Sequence, residues 1–158
     1  MKFYITTILL ILVIGACKEP TNKAQGSWIK GTNQEKTEII EKQFRGFDLA
    51  MKETGYRYQE LYWAGKDENW EYAAYQVEKI RKAIENGLER RPKRAASAEQ
   101  FINETLPEMG RAVMSRDTVV FSRAFRTLTL SCNNCHTMEK VPFFTVKEPV
   151  YRQSPIRK

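Results

Sequence analysis

The chemistry-bearing side chains of this chain crowd into five consecutive residues, Cys132-Asn133-Asn134-Cys135-His136. On a helix, two thiols three positions apart share one face, and here an imidazole directly follows the second. This C-x-x-C-H spacing is the attachment signature of c-type haem. The thiols add to the two vinyl groups of one porphyrin, and the histidine sits beneath the iron as proximal ligand. His136 is the only histidine in 158 residues, so any chemistry that needs imidazole must use it. That count excludes a His-rich metal cluster and an iron held by two histidines of one chain. A redox dithiol of the thioredoxin type needs a strand–helix context that the surrounding pattern lacks. Zinc needs a fourth ligand or an open-site partner, and none is evident nearby. The expected cofactor is therefore one covalently attached haem c, with Cys132 and Cys135 as attachment points and His136 as metal ligand.

The elements that must carry this motif are helical. Asp117 is a good N-cap, and Val120/Phe121, Ala124/Phe125, Leu128 and Cys132 recur at helical steps, which predicts a last helix over 118–138. Upstream, Ile40, Phe44, Phe47 and Met51 step by four, three and four, and Thr54, Tyr58, Leu61 and Gly65 continue the register. This predicts a first helix over about 35–64, with Gly55 as a site for a kink and Gly65 as the C-terminal stop. Asn69 as N-cap and an apolar stripe from Trp70 to Leu88 predict a second helix over 70–90, ended by Pro92. Ser97-Ala98-Glu99-Gln100 has the form of a capping box, and Pro107 interrupts the apolar face that begins at Phe101. The third helix is therefore read as two pieces, 98–104 and 106–115. No useful length alternates with a period of two. The expected fold is all-α, an antiparallel four-helix bundle over 35–140 with haem held near the C-terminal helix. An extended proline-marked tail, 141–158, completes the chain, with Phe143, Phe144 and Val146 expected against the bundle.

The first sixteen residues read as an address. Lys2 precedes an uncharged run from Phe3 to Ala16, about 21 Å as a helix against a bilayer core of roughly 30 Å. A basic start, an apolar centre and small residues at the end describe an export signal, 1–16. Ile14-Gly15-Ala16-Cys17 resembles a bacterial lipobox, which implies cleavage before Cys17 and lipidation of its thiol. Two or more acyl chains give stable anchoring where one is marginal. The competing readings are an ordinary signal peptide with a chance cysteine, and an uncleaved anchor. Residues 17–34 carry no apolar period and read as a flexible tether. Export and haem attachment agree, because this cofactor is attached outside the cytoplasm.

Placement of the motif late in the last helix resembles cytochrome c′ and its low-spin relatives, the class II c-type cytochromes. The resemblance spans roughly 35–140 and includes Leu61-Tyr62-Trp63-Ala64-Gly65, Asn69-Trp70, Ala73-Ala74-Tyr75, Phe121, Ala124-Phe125 and Leu128-Thr129. The group often has a histidine where this chain has Tyr58, a departure that removes any role carried over to that position. In class II cytochromes the first helix supplies the residue over the distal haem face, which implies Met51 as the sixth iron ligand; the alternative is Met51 as a flexible core filler. Met109 and Met114 are weaker candidates, and Met138 follows His136 too closely to reach the other face. Tyr58 reads either as a phenol near the haem edge or as a core aromatic, and Lys140 either as a propionate partner or as a solvated lysine. The resemblance also raises a homodimer.

The balance of 26 basic against 19 acidic residues gives a formal charge of +7. The densest run, Glu89-Arg90-Arg91-Pro92-Lys93-Arg94, reads as a solvated helix end or as a docking patch for an acidic redox partner or anionic lipid. Nucleic acid is not an expected partner, since export takes the protein away from it. No general base or substrate pocket is evident. The expected function is that of a non-enzymatic electron carrier, tied to the membrane through its lipid and facing the periplasm or cell exterior, that exchanges electrons with redox partner proteins. The rival readings are a five-coordinate haem protein binding NO or CO, and a haem subunit of a larger respiratory complex.

Overall fold

The computed structural model describes residues 26–156; the expected signal, 1–16, and Cys17 lie outside them. Among the described residues every regular element is helical, and no helix is long and apolar enough to cross a membrane. The chain divides into a unit that ends at Gln43 and a larger one that begins at Phe44. α1, Asn33–Phe44, belongs to the first unit except for its last residue, and none of its residues is buried. It starts two residues earlier than the apolar stripe predicts because Thr32 and Glu35 form a capping box. The Thr32 N–H donates to the Glu35 carboxylate at 2.7 Å, and the Glu35 N–H donates to Thr32 Oγ1 at 3.2 Å. The Thr32 N–H, together with the Thr32 hydroxyl 2.9 Å from the same oxygen, holds the Glu35 carboxyl below the usual carboxylate range.

In the larger unit α2 is Phe47–Lys66, α3 Trp70–Arg90, α4 Ala95–Gln100, α5 Leu106–Met114 and α6 Thr118–Met138. The expected single helix 35–64 is thus divided. The break falls at Arg45–Gly46, not at Gly55. Arg45 takes a left-handed φ of 59°, and the Gly46 N–H is capped by Asp48 Oδ1 at 3.1 Å, which starts a new helix. The third helix departs in the opposite sense. α4 and α5 join through a wide π turn, Phe101–Thr105, into one rod beginning at Ala95. Pro107 has no N–H and its ring crowds the carbonyl one turn back; the wide turn ahead of it relieves both problems without ending the helix. Ser97 therefore lies inside the helix instead of capping it, with its hydroxyl oxygen 2.9 Å from the Arg94 carbonyl. The other two boundaries are as expected. Asn69 accepts from the Tyr72 N–H, and Asp117 Oδ1 accepts from the Val119 and Val120 N–H groups at 2.7 and 2.9 Å.

Contacts between elements run antiparallel. Tyr58 of α2 bonds Thr129 of α6, while a Cβ on Gly65, two turns further along α2, would overlap the Phe121 ring, two turns back along α6. Thr105 bonds Ser131, and Arg94 pairs with Glu139. Leu61, Ala73, Ile80, Leu106, Met109, Phe125 and Leu128 fill the core these helices enclose.

Gly65 consequently has a different role from the predicted stop. The helix continues to Lys66, Glu68 takes the left-handed position at φ 54°, and the Asn69 N–H returns to the Ala64 carbonyl at 2.8 Å. Gly65 is there to let Phe121 approach. Gly55, by contrast, has nothing within 4 Å of where a Cβ would stand. Gly55→Ala is expected to stabilise the fold by roughly 0.5–1 kcal/mol through the unfolded chain's lost freedom. Gly65→Ala is expected to destabilise it by about 1–3 kcal/mol, because Phe121 is pinned by Trp70 and Phe125 and cannot swing aside. Thermal unfolding of the two variants beside the parent checks both signs.

Candidate cofactor-attachment site

The five-residue motif occupies the last two turns of α6. Cys132 packs against the core beneath Tyr58, and burial pushes its thiol up to about 12, with Cys135 adding in the same direction. Cys135 is also raised by burial, partly opposed by the Ser97 hydroxyl and by Arg94. Both sulfurs are thus protonated at neutral pH and face the bundle. Beside Cys135, Glu139 accepts from both Ser97 and Arg94, and Arg94 also lies over the Phe47 ring at 5.5 Å. Arg94 therefore turns inward to an ion pair, so the basic run is not uniformly solvated as the charge pattern alone implies.

Behind the motif α6 ends in a reversal. Lys140 takes φ 61°, and the Val141 N–H bonds the His136 carbonyl at 2.8 Å. Lys140 is thus the left-handed residue of this turn, which sends the tail back along α6. There the Phe144 carbonyl lies 2.5 Å from His136 Nδ1. Val146 exchanges two bonds with the Asn133 amide, N–H to Oδ1 at 2.7 Å and Nδ2 to its carbonyl at 3.0 Å. The Lys147 carbonyl accepts from Tyr58 Oη at 3.2 Å, and Arg152 makes a bidentate pair with Asp67 at 2.5 and 2.7 Å. Val146 packs against the bundle as expected, whereas the Phe143 and Phe144 side chains are exposed. Backbone groups hold the tail at this point, not the aromatic rings.

Comparison with known protein families, curated proteins and solved structures finds no match. Function must therefore be argued from the site.

A carbonyl can only accept, so a neutral His136 imidazole bonded to it carries its proton on Nδ1 and its lone pair on Nε2. Met51 is half-buried against the core of the bundle. Its level is set by the register: Tyr58 faces Thr129, and seven residues down α2 and seven along α6 lead to Met51 and His136. The weaker methionine candidates separate clearly. Met109 is fully buried in the core, and Met114 and Met138 are exposed. Phe121, Phe125 and Trp70 are core residues, and Phe47 is partly buried beside Gly87. Sequence patterns alone did not mark Asn133, Ser97 and Glu139 as members of the site. The first stood in plain view between the cysteines, but the partners it binds are backbone groups.

Tyr58 is a buried phenol bonded to Thr129 at 2.7 Å, and burial pushes it up to about 12. An unfolded tyrosine loses its proton near 10. Between these values the unfolded chain binds fewer protons than the folded one, so stability falls as pH rises through this window and levels off beyond it. Denaturant midpoints measured from neutral to strongly alkaline pH are expected to decline accordingly, the raised Cys132 thiol acting in the same direction, and Tyr58→Phe is expected to lessen the decline without abolishing it.

Proposed function

We propose that this chain is a membrane-anchored monohaem c-type cytochrome of the class II kind, a carrier of single electrons and not an enzyme. The observation that supports it best is His136 with Nδ1 bonded to a backbone carbonyl, at the end of a motif with two protonated thiols. Nε2 is thereby left as the free donor nitrogen, and a metal-ligating histidine ordinarily has its other nitrogen engaged in this way. The donor set fits covalently held haem. Cys132 and Cys135 would hold the group through thioethers, His136 would ligate the iron, and Met51, at His136's level, would supply its second protein ligand. When bound, haem supplies reversible one-electron chemistry, with the potential raised by methionine ligation. The chain's own residues do the rest. The α4–α6 contacts brace Cys135, the tail orients the imidazole, and the apolar core excludes water beside Cys132. Cys17 would carry the lipid that places the protein on the periplasmic or outer side of a bacterial membrane. The partners would be redox proteins, with acidic ones favoured by the net charge.

The test is covalent haem. The full chain, produced in a host that matures c-type cytochromes and then denatured, is expected to retain haem on the peptide spanning Cys132 and Cys135. Cys132→Ser/Cys135→Ser is expected to release all of it. A denatured parent chain with the mass of the polypeptide alone would overturn the proposal.

A further inference from the structure

We propose that Asn133 is a positioning residue, whose side-chain amide grips the backbone of Val146 and so keeps the Phe144 carbonyl on Nδ1 of His136. Its consequence for iron rests on the haem reading above; the grip itself does not. An asparagine amide presents one donor and one acceptor side by side, and Val146 presents the matching N–H and C=O. Both bonds form, as between neighbouring strands.

The spacing makes this grip felt at the histidine. Asn133 and His136 are three apart on α6, about 4.5 Å of helix rise. Val146 and Phe144 are two apart on the returning tail, a separation of at most about 7 Å. One path of the tail therefore satisfies both contacts, and a tail released at Val146 keeps only the Val141 turn to hold the carbonyl on Nδ1. The Phe144 N–H also closes a turn on the Val141 carbonyl at 3.1 Å, and the Phe144 ring meets the His136 ring edge-on, but neither contact holds the Val146 end of the segment. The Phe143 and Phe144 side chains are 72% and 62% exposed, so burial of these rings does not pin the segment. The next fixed points are the turn at Lys140 and the Lys147 carbonyl on Tyr58. Neither aspartate, which lacks the donor, nor the longer glutamine reproduces the pair of bonds.

The experiment compares the parent with Asn133→Ala and Asn133→Asp in the full haem-loaded chain. It reads amide hydrogen exchange of the segment containing Val146 and the reduction midpoint potential. Asn133→Ala is expected to speed Val146 exchange by about tenfold or more. It is also expected to raise the potential, because an imidazole without its Nδ1 acceptor is a poorer donor to ferric iron. Asn133→Asp keeps the acceptor for the Val146 N–H and is expected to fall between. Unchanged exchange overturns the grip. Faster exchange with an unchanged potential overturns the positioning role, leaving Asn133 as a mere tail anchor. If the chain carries no haem, the cytochrome reading fails separately. The 15N shifts of the His136 ring in the haem-free full chain then decide: a tautomer that moves from Nδ1–H toward Nε2–H in Asn133→Ala supports the proposal, and one that stays overturns it.

Discussion

Truncating Phe125 to alanine is expected to cost about 3–5 kcal/mol of folding stability, the range for emptying a buried aromatic site. Phe125 is 1% exposed and touches aromatic rings on three sides, with centroids at 4.7 Å to Tyr58, 5.1 Å to Tyr62 and 6.0 Å to Phe121. These neighbours come from α2 and from α6 itself, so the void would open at the contact that sets the register between the two helices. Collapse into it is restricted. Phe121 is held against Gly65, and Tyr58 is tied by its hydroxyl to Thr129 and to the tail. A total stability of roughly 5–15 kcal/mol leaves little after such a loss. Chemical denaturation should show a large fall in midpoint with little change in slope. Leu130→Ala, at a site 69% exposed on the same helix, is the control and is expected to stay within about 0.5 kcal/mol of the parent.

The second large effect is spectroscopic. On the proposed function, Met51→Ala is expected to convert a six-coordinate, low-spin iron into a five-coordinate, high-spin one. The thioether–ferric absorption band should disappear, the midpoint potential should fall, and carbon monoxide should bind readily to the reduced form. Met51 is the suited methionine because the register between α2 and α6 brings it level with His136, and because it is half-buried, neither locked in the core nor exposed. Met109→Ala provides the contrast. Met109 is fully buried, so its truncation is expected to cost about 2–5 kcal/mol while leaving the spectrum unchanged. A parent protein that is already high-spin and binds carbon monoxide would remove Met51 from the iron and favour a gas-binding role. The same spectrum in parent and Met51→Ala would remove it as well.

Both predictions draw on information of two kinds, and the chain separates them cleanly. Boundaries set within a few residues were legible. Asn69 and Asp117 cap the helices they were expected to cap, and the stripes from Trp70 to Leu88 and from Phe121 to Cys132 lie on buried faces. Two local signals misled. Thr32-x-x-Glu35 is a capping box that the apolar stripe overshadowed, and Ser97-x-x-Gln100 is not one because the helix had already begun. The run Ile40, Phe44, Phe47, Met51 kept perfect helical steps across a break. Periodicity records which residues would share a face, not whether the backbone between them stays helical.

Residue order alone was enough to establish that this protein is helical, where α3 and α6 begin and end, and that two thiols and the sole imidazole share the end of the last helix. Those properties arise from side chains acting on backbone one turn away, so no distant partner is needed to specify them. Packing in three dimensions was required to show that Gly65 makes room for Phe121, that Arg94 turns inward to Glu139, and that the tail returns along α6 to Asn133 and His136. Each of these joins residues far apart in the chain through the register of packed elements. At the tail, moreover, the groups that bind are backbone N–H and C=O, which every residue except proline offers alike. Side-chain identity therefore named His136, and the fold chose its partner and brought in Asn133.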